Sequence, residues 1–221
     1  MKNCAVLVLI IILMFSQWAR AGAVQDQSDL EVYRDSEYGY AFRYPPGWDL
    51  RKLPEGAAND DVRVLLQTPN GNSFMVVVEK GRQNPSKADF QSDPNRQAYV
   101  DKLIQQTIQQ VYRTVGRNLG AVESKIGERT DLSNDRGIRF YVSTLHKMKA
   151  GDPVVVAGIH CYPFSRPYSI SFMMTAFFDR GAEKDNAVMT AVFNSFQLLN
   201  GPADTPGGPT PTAPSNQNKA Q

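Results

Sequence analysis

The stretch Tyr38-Gly-Tyr-Ala-Phe-Arg-Tyr-Pro-Pro-Gly-Trp48 decides the fold of this chain. Its central aromatic residues alternate with small or polar ones, which is the period of a β-strand with one buried face. These residues are Tyr40, Phe42 and Tyr44. The prolines that begin at Pro45 end the strand, because neither can donate to a sheet ladder. A glycine then permits a turn, and Trp48 folds a large apolar surface back onto the sheet.

Further strands follow from runs of β-branched and aromatic residues. They are predicted at 31–35, 61–67, 73–79, 121–129, 136–149, 153–162 and 168–177. The segment Pro69-Asn-Gly-Asn72 predicts a hairpin between the second and third of these, and Ala150-Gly-Asp152 predicts another. The charged segment 49–60 and the polar segment 81–93 are predicted to be loops.

Two helices are predicted from apolar stripes with helical spacing. The first spans 94–115, with Ser92 or Asp93 as its cap, Pro94 in its first turn and Gly116 at its end. Its opposite face is rich in glutamine, which fits a solvated surface or a partner surface. The second spans 182–195. Its apolar stripe consists of Val188, Met189, Val192, Phe193 and Phe196.

The order and spacing of these elements indicate the fold class. Short connections between consecutive strands require antiparallel neighbours. Strand 136–149 carries bulky residues on both faces, with Phe140 on one and Tyr141 on the other, so the sheet is covered on both sides. We therefore expect an α+β fold in which helices flank one central antiparallel sheet, as an α/β/α sandwich.

The opening hairpin, from Val32-Tyr33 through Trp48, resembles the PsbP/Mog1-like family. The segment Phe193-Asn-Ser-Phe196 resembles the closing helix and terminus of that family. The matching positions form a structural motif rather than a catalytic one. They are Tyr40, Phe42, Tyr44, Pro45, Trp48, Phe193 and Phe196. The resemblance covers about residues 30–199 and implies a PsbP-like exported α/β domain.

The resemblance also implies a class of function. PsbP-like proteins of photosynthetic organisms attach to the lumenal side of photosystem II, and Mog1-like proteins bind small GTPases. This chain has a bacterial-style leader and no Ser/Arg-rich transit region, so neither role transfers directly. No metal-binding residue of the family can be matched here, and no cofactor is expected.

The N-terminus has the pattern of a secretory signal peptide. Lys2 precedes an apolar run from Ala5 to Phe15, and Ala19-Arg-Ala21 is a cleavage pattern. Cleavage after Ala21 or Ala23 and retention as an uncleaved anchor are all open, although the run is short for a membrane span. We expect a periplasmic or secreted protein with no integral span after cleavage.

Four segments follow from this organisation. Residues 1–21 are the signal peptide, 22–29 a flexible lead, 30–199 the PsbP/Mog1-like domain, and 200–221 a disordered tail. The tail is rich in Pro and Gly and lacks bulky hydrophobic residues, so it cannot bury enough apolar surface to offset ordering. It is an inert tail or a spacer to a partner.

The charge balance limits the partners. The chain has 24 Lys and Arg against 22 Asp and Glu, and the loss of Lys2 and Arg20 makes the counts equal. A neutral chain argues against nucleic acid as the main partner. After cleavage Cys161 is the single cysteine; it alternates with Val155, Ala157 and Ile159 and is expected to be a buried structural thiol.

Motifs for catalysis are missing from the sequence. There is no G-x-S-x-G, H-E-x-x-H or phosphate-binding loop. The segment 131–137 resembles a calcium loop, but Arg136 stands where the sharp turn needs glycine. His146 and His160 are predicted to lie opposite about Val155 and Tyr141, too far apart to share a metal, as half-buried strand residues.

Two classes of function remain. The first is a non-catalytic exported binding or assembly accessory protein, with an extracytoplasmic protein partner that is unknown. The alternative is a periplasmic or secreted hydrolase or metal-dependent enzyme whose site is not readable from the sequence. An enzyme should bring reactive His, Cys or acidic groups together. Their separation in this chain favours the accessory protein, not an enzyme.

Overall fold

The computed structural model describes residues 30–54, 61–178 and 182–199, with no side-chain description for 182–186. The predicted signal peptide, flexible lead and tail, and the end of the predicted loop 49–60, lie outside these residues. The strands are β1 (Glu31–Asp35), β2 (Tyr40–Tyr44), β3 (Asp49–Lys52), β4 (Val62–Gln67), β5 (Ser73–Lys80), β6 (Ala121–Asp131), β7 (Gly137–Met148), β8 (Val154–Pro163), β9 (Tyr168–Phe177) and β10 (Gln197–Leu198). The helices are α1 (Lys87–Ser92), α2 (Arg96–Leu119) and α3 (Ala182–Asn194).

A seven-stranded antiparallel sheet forms the centre of the fold, with the order β3-β4-β5-β9-β8-β7-β6. The two predicted hairpins, β4–β5 and β7–β8, are confirmed, and short turns connect them. The α+β class with a central antiparallel sheet flanked by helices is likewise confirmed. Gly71 and Gly151 lie in the two hairpin turns with φ of 80° and 88°, where a side chain would strain the backbone.

The organising hairpin is not part of that central sheet, contrary to the prediction of a single sheet. β1, β2 and β10 form a separate three-stranded sheet, in the order β1-β2-β10. Pro45 follows the last residue of β2, and in the turn after it Trp48 N donates to Pro45 O at 3.4 Å. The small sheet therefore packs face to face on the large sheet instead of joining its edge.

The two faces of the large sheet have separate covers. The small sheet and α3 cover one face, and an aromatic core fills the space between them. α2 crosses the other face, where its apolar stripe packs on β7 and β8. Ile138, Phe140 and Val142 contact α2, whereas Tyr141 and Leu145 lie on the aromatic side, as the alternation along β7 predicts.

Two segments predicted as loops contain regular structure. β3 pairs with β4 along its length because Leu50 packs on the aromatic core while charged neighbours remain in solvent. α1 begins after Ser86, whose Oγ accepts from Asp89 N at 3.1 Å. Serine three residues before an acid is a capping pattern, and it identifies this short helix.

The predicted ends of the long helix are also shifted. Ser92 ends α1 and Asp93 lies in the turn, so neither caps α2, which begins after Asn95. At the other end α2 continues past Gly116 to Leu119. Gly120 ends it with φ of 72°, in the left-handed conformation that favours glycine.

Candidate functional site

An aromatic core lies between the small sheet and the large sheet, centred on Phe172 in β9. The ring of Phe172 stacks on the rings of Phe42, Phe74, Phe193 and Phe196, at centroid distances of 5.1, 5.6, 5.8 and 4.9 Å. Phe172 itself is fully buried. Ring stacking at these distances adds to the gain from apolar burial, so the core holds the two sheets together.

The sequence motif supplies three of the four rings that stack on Phe172. Tyr40, Phe42, Phe193 and Phe196 are buried, whereas Tyr44, Pro45 and Trp48 are partly exposed. Trp48 stacks on Phe74 at 5.9 Å, at the margin of the core. A hydrogen bond with Glu31 raises the pKa of Tyr44 to about 12. The role of the motif residues is thus to pack the core, and none of them is placed as a reactive group.

The segment after α3 closes the small sheet over the core. Ser195 Oγ accepts from Arg43 N at 2.7 Å, and Leu199 N donates to Gly39 O at 2.7 Å. Arg139 in β7 donates to Phe196 O at 3.4 Å, and Arg136, just before β7, donates to Leu198 O. The predicted closing motif is therefore fastened to both sheets by main-chain and side-chain bonds.

His146 lies under α2 and is fully buried rather than half-buried, opposite Val154 instead of Val155. Its Nδ1 lies 2.8 Å from Ser124 Oγ, and its Nε2 lies 2.8 Å from Thr144 Oγ1. Thr144 Oγ1 donates to a carbonyl in β8, so it accepts from Nε2, and Nδ1 accepts from Ser124. Burial lowers the pKa of His146 to about 4.

His160 is the other imidazole and is also buried, opposite Phe140 instead of Tyr141. Its Nδ1 lies 2.8 Å from Ser171 Oγ, and its ring stacks on Phe140 at 5.3 Å. A Cβ on Gly158 would lie 2.5 Å from His160 Nε2, so only glycine fits beside this ring. Burial lowers the pKa of His160 to about 4.

Neither serine–histidine contact is predicted from the sequence, because both depend on pairing between strands. The register β6–β7 places Ser124 opposite His146, and β8–β9 places His160 opposite Ser171. A serine nucleophile needs a basic imidazole that a third group orients. Here both imidazoles are weak bases, because burial lowers their pKa values. Their hydrogen bonds with hydroxyl groups satisfy buried polar atoms under α2.

Cys161 is a buried thiol on the aromatic side of β8, as predicted from its alternation with Val155, Ala157 and Ile159. Burial raises its pKa to about 12, which makes it a poor nucleophile. Within the described part of the chain, no three His, Cys, Asp or Glu side chains meet in a way that could hold a metal ion. Over the same residues, no helix has the length and apolar character of a membrane span.

One open groove lies beside α1, and we call it the α1 groove. It has a volume of about 570 Å³ and is bounded by the segment before α1, by α1, by the start of α2 and by the β8–β9 turn. Residues that line it include Asn84, Asp89, Phe90, Asp93, Tyr99 and Ser165. The polar composition of segment 81–93 predicts a loop, so the sequence pattern does not reveal this groove. The Ser86–Asp89 capping pattern was the signal that could have found it.

No protein-family model matches the chain, and no curated protein matches its sequence. Among solved structures, PsbP from the cyanobacterium Synechocystis sp. PCC 6803 aligns with 81% of this chain and 97% of its own, at 16% identity and a TM-score of 0.52. The Ran-binding protein Mog1p of Saccharomyces cerevisiae aligns with 77% of this chain and 95% of its own, at 9% identity and a TM-score of 0.42.

The likeness to cyanobacterial PsbP confirms the resemblance that the opening hairpin and the closing motif predicted. At this level of identity it shows the fold alone, and the chain has the fold of a PsbP-like protein. The aromatic core and its margin contain every residue of the structural motif except Pro45. The likeness therefore concerns the fold, and the function needs separate evidence.

Proposed function

We propose that this chain is a non-catalytic accessory protein that is exported and binds a protein partner outside the cytoplasm. The observation that carries the non-catalytic part is the state of its two histidines. Both are buried, both have a pKa lowered to about 4, and both hydrogen-bond hydroxyl groups of the sheet. An imidazole that acts as a general base near neutral pH needs a higher pKa and must be able to reach its substrate.

The fold fits this role. A PsbP-like fold presents a rigid antiparallel sheet with helices and loops around it, and such a scaffold can hold binding residues in place without chemistry. The predicted signal peptide at 1–21 supports delivery to the periplasm or the exterior. The neutral charge of the remaining chain supports a protein partner over nucleic acid.

Export is tested by fractionating the native host and sequencing the N-terminus of the recovered protein. We expect a chain that starts at Gly22 or Val24 in the extracytoplasmic fraction. A matched variant with Leu9→Glu and Ile11→Glu interrupts the apolar run and should remain in the cytoplasm with Met1 or Lys2 at its start. An intact N-terminus on the parent chain in the cytoplasm would contradict the proposal.

The partner is tested by cross-linking in the extracytoplasmic fraction followed by capture of the tagged protein. We expect one protein to be enriched with the exported chain and not with the Leu9→Glu, Ile11→Glu variant. The captured protein must then bind the purified chain directly at a defined stoichiometry. Absence of any direct binder, together with turnover of a small-molecule substrate by the purified chain, would favour the enzyme alternative.

A further inference from the structure

The two edges of the large sheet differ in how open they are to another strand. β3 at one edge has four residues, of which Asp49, Arg51 and Lys52 are charged. β6 at the other edge has eleven residues, and no strand among the described residues pairs with its outer side. A short, charged edge resists the addition of a strand, whereas a long edge presents unpaired N–H and C=O groups to one. β6 is therefore the edge at which this sheet can be extended.

Apolar side chains are exposed along the same edge. Val122 and Ile126 in β6 are 61% and 46% exposed, and Leu119 and Leu132 lie exposed just beyond its two ends. Among the described residues, Val32 is the only other large hydrophobic side chain that is exposed. Single exposed apolar residues need no explanation, but a group of them on one element indicates a contact surface. The open edge thus also has the apolar surface that an interface needs.

The order of side chains in β6 is the second, independent observation. The segment Val122-Glu-Ser-Lys-Ile126 is complementary to itself when two copies run antiparallel and meet at Ser124. Val122 then lies opposite Ile126 of the second copy, and Glu123 lies opposite Lys125 of the second copy. A twofold axis through Ser124 repeats each pair, as an interface between two identical surfaces requires. The segment therefore matches apolar with apolar and acid with base, each twice.

The charged side chains also select this register. Glu123 and Lys125 lie on the face of β6 away from α2, both are exposed, and Lys125 Nζ lies 3.0 Å from Glu123 Oε1. A second copy centred on Ser124 adds one acid and one base beside them, in a square of alternating charge. An axis through Glu123 or through Lys125 would instead set two like charges opposite each other. Charge complementarity thus favours pairing centred on Ser124 over the adjacent centres.

Two register shifts bracket the segment and limit the length of such a pairing. They fall between Ala121 and Glu123 and between Ile126 and Arg129, where β6 is irregular against β7. Bulges tend to turn an edge away from other strands, so we expect added pairing to be confined to residues 122–126. A strand pair of this length gives a small interface, which is typical of a complex that dissociates on dilution.

We propose that β6 pairs with β6 of a second copy, antiparallel and centred on Ser124, so that this protein forms a weak homodimer with one sheet continuous across both copies. The contact combines main-chain hydrogen bonds along the open edge with the apolar and charged pairs of residues 122–126. This inference goes beyond the proposed function and does not depend on it, because an accessory protein and an enzyme could both dimerise in this way.

The direct test is analytical ultracentrifugation of the purified chain from Gly22 onward, which keeps every residue of the described domain. We expect the apparent mass to rise from one chain in dilute solution toward two chains as the concentration increases. Glu123→Lys and Lys125→Glu each set like charges opposite each other, so each variant alone should dimerise at least tenfold more weakly. The double exchange Glu123→Lys, Lys125→Glu should restore the affinity of the parent.

An equimolar mixture of the two single variants gives a sharper test. One chain then has two lysines in the segment and the other has two glutamates, so the mixed dimer should form at least as well as the parent dimer. The matched control Arg129→Glu reverses an exposed charge of β6 outside the segment and should change the affinity less than twofold. Urea denaturation in dilute solution, where the monomer dominates, verifies that every variant is folded.

A disulfide locates the twofold axis. Ser124→Cys places two thiols directly opposite each other, with about 4.5–5.5 Å between the Cα atoms, and a disulfide spans about 4.4–6.8 Å. Cys161 is buried and does not compete for the new thiol. Mild oxidation should therefore link two chains of this variant. Thr130→Cys, on an exposed residue of β6 outside the segment, should remain unlinked.

Several results would overturn the inference. A chain that stays monomeric at millimolar concentration would show that β6 does not pair with a second copy. A mixture of the charge variants that fails to associate, or an unlinked Ser124→Cys variant, would show that a dimer uses another surface or register. A change in association after deletion of residues 200–221 would make the tail part of the contact.

Partner capture separates this inference from the proposed function. A captured protein that cross-links to Ser124→Cys in place of a second copy would support the accessory role and overturn the homodimer. A mixed dimer of the charge variants that forms while no other protein is captured would support the homodimer and leave the accessory role without its partner.

Discussion

The two faces of the central sheet differ in chemistry although the same strands build both. The face under the small sheet is lined by stacked aromatic rings around Phe172. The face under α2 combines aliphatic residues and the rings of Phe140 and Tyr162 with two histidines that hydrogen-bond serine and threonine hydroxyls. Side chains alternate between the faces along each strand, so one strand contributes to both.

The residues that predict the fold and the residues with titratable side chains therefore lie on different faces of the sheet. All residues of the structural motif except Pro45 belong to the aromatic face or its margin. That face depends on apolar burial, which does not change with pH. The α2 face depends on buried imidazoles that must stay neutral. The two faces should therefore respond to different perturbations, and the following predictions use that contrast.

The largest effect is expected from truncation at the centre of the aromatic face. Phe172→Ala removes a fully buried ring that four other rings contact, which should lower the free energy of unfolding by about 3–5 kcal/mol. Urea denaturation measures the loss. Ile126→Ala is a suitable control because Ile126 is 46% exposed on β6, and it should cost less than about 0.5 kcal/mol. A loss below 1 kcal/mol for Phe172→Ala would contradict the central role of this ring.

Acid should destabilise the protein through the α2 face. In the folded state His146 and His160 have a pKa of about 4, below the value of about 6.5 of an unfolded histidine. The unfolded state therefore binds protons first as the pH falls, so stability is complete above about pH 6.5 and declines toward about pH 4. Between about pH 7 and pH 5.5, before most carboxylates titrate, the two histidines should together cost about 2–3 kcal/mol.

Urea denaturation at a series of pH values measures this decline. Phe172→Ala provides the contrast between the faces, because it should lower the whole curve and leave its dependence on pH unchanged. His160→Gln removes one titrating group and should flatten the curve, even if it lowers stability at neutral pH. A parent curve that is level from pH 7 to pH 5.5 would mean that the histidines are not buried in the neutral form.

Trp48→Ala should have a smaller effect than Phe172→Ala. Trp48 is partly exposed and contacts the core mainly through its stack on Phe74, so less apolar surface returns to water. We expect a loss of about 1–2 kcal/mol, smaller than full burial of this residue would give. Thermal melts of the parent and the variant measure it. A loss as large as that of Phe172→Ala would show that the margin of the core is as important as its centre.

The sequence predicted the aromatic face well because its signals are local. Alternating rings in β2 and the spacing of Phe193 and Phe196 require only the period of a strand or a helix. It also predicted both hairpins and the face of Cys161. The separate small sheet was missed because pairing of β2 with β10 joins residues at opposite ends of the domain. Local patterns contain no information about such contacts.

The candidate sites were missed for a related reason. The pairs Ser124–His146 and His160–Ser171 arise from strand register, which a shift of one residue would abolish. The α1 groove depends on a short helix in a polar segment, where charge suggested a loop. Its buried acceptor, Asn84, is held by carbonyls of the distant β8–β9 turn. The two serine–histidine pairs and the α1 groove therefore form where segments that are separate in the sequence meet.

The smallest effect is expected from deleting residues 200–221, which we expect to contact neither face of the sheet. Residues 200–221 contain no bulky hydrophobic side chain, so they have nothing to contribute to either core. Deleting them should leave the melting temperature unchanged. Deleting back to Ser195 also removes Phe196, a ring that stacks on Phe172 at 4.9 Å, and Leu199 N, which donates to Gly39 O. That longer deletion should destabilise the domain about as strongly as Phe172→Ala, because it opens the same core. A clear loss from the short deletion would mean that the tail packs on the domain, and the aromatic face would then extend beyond the residues described.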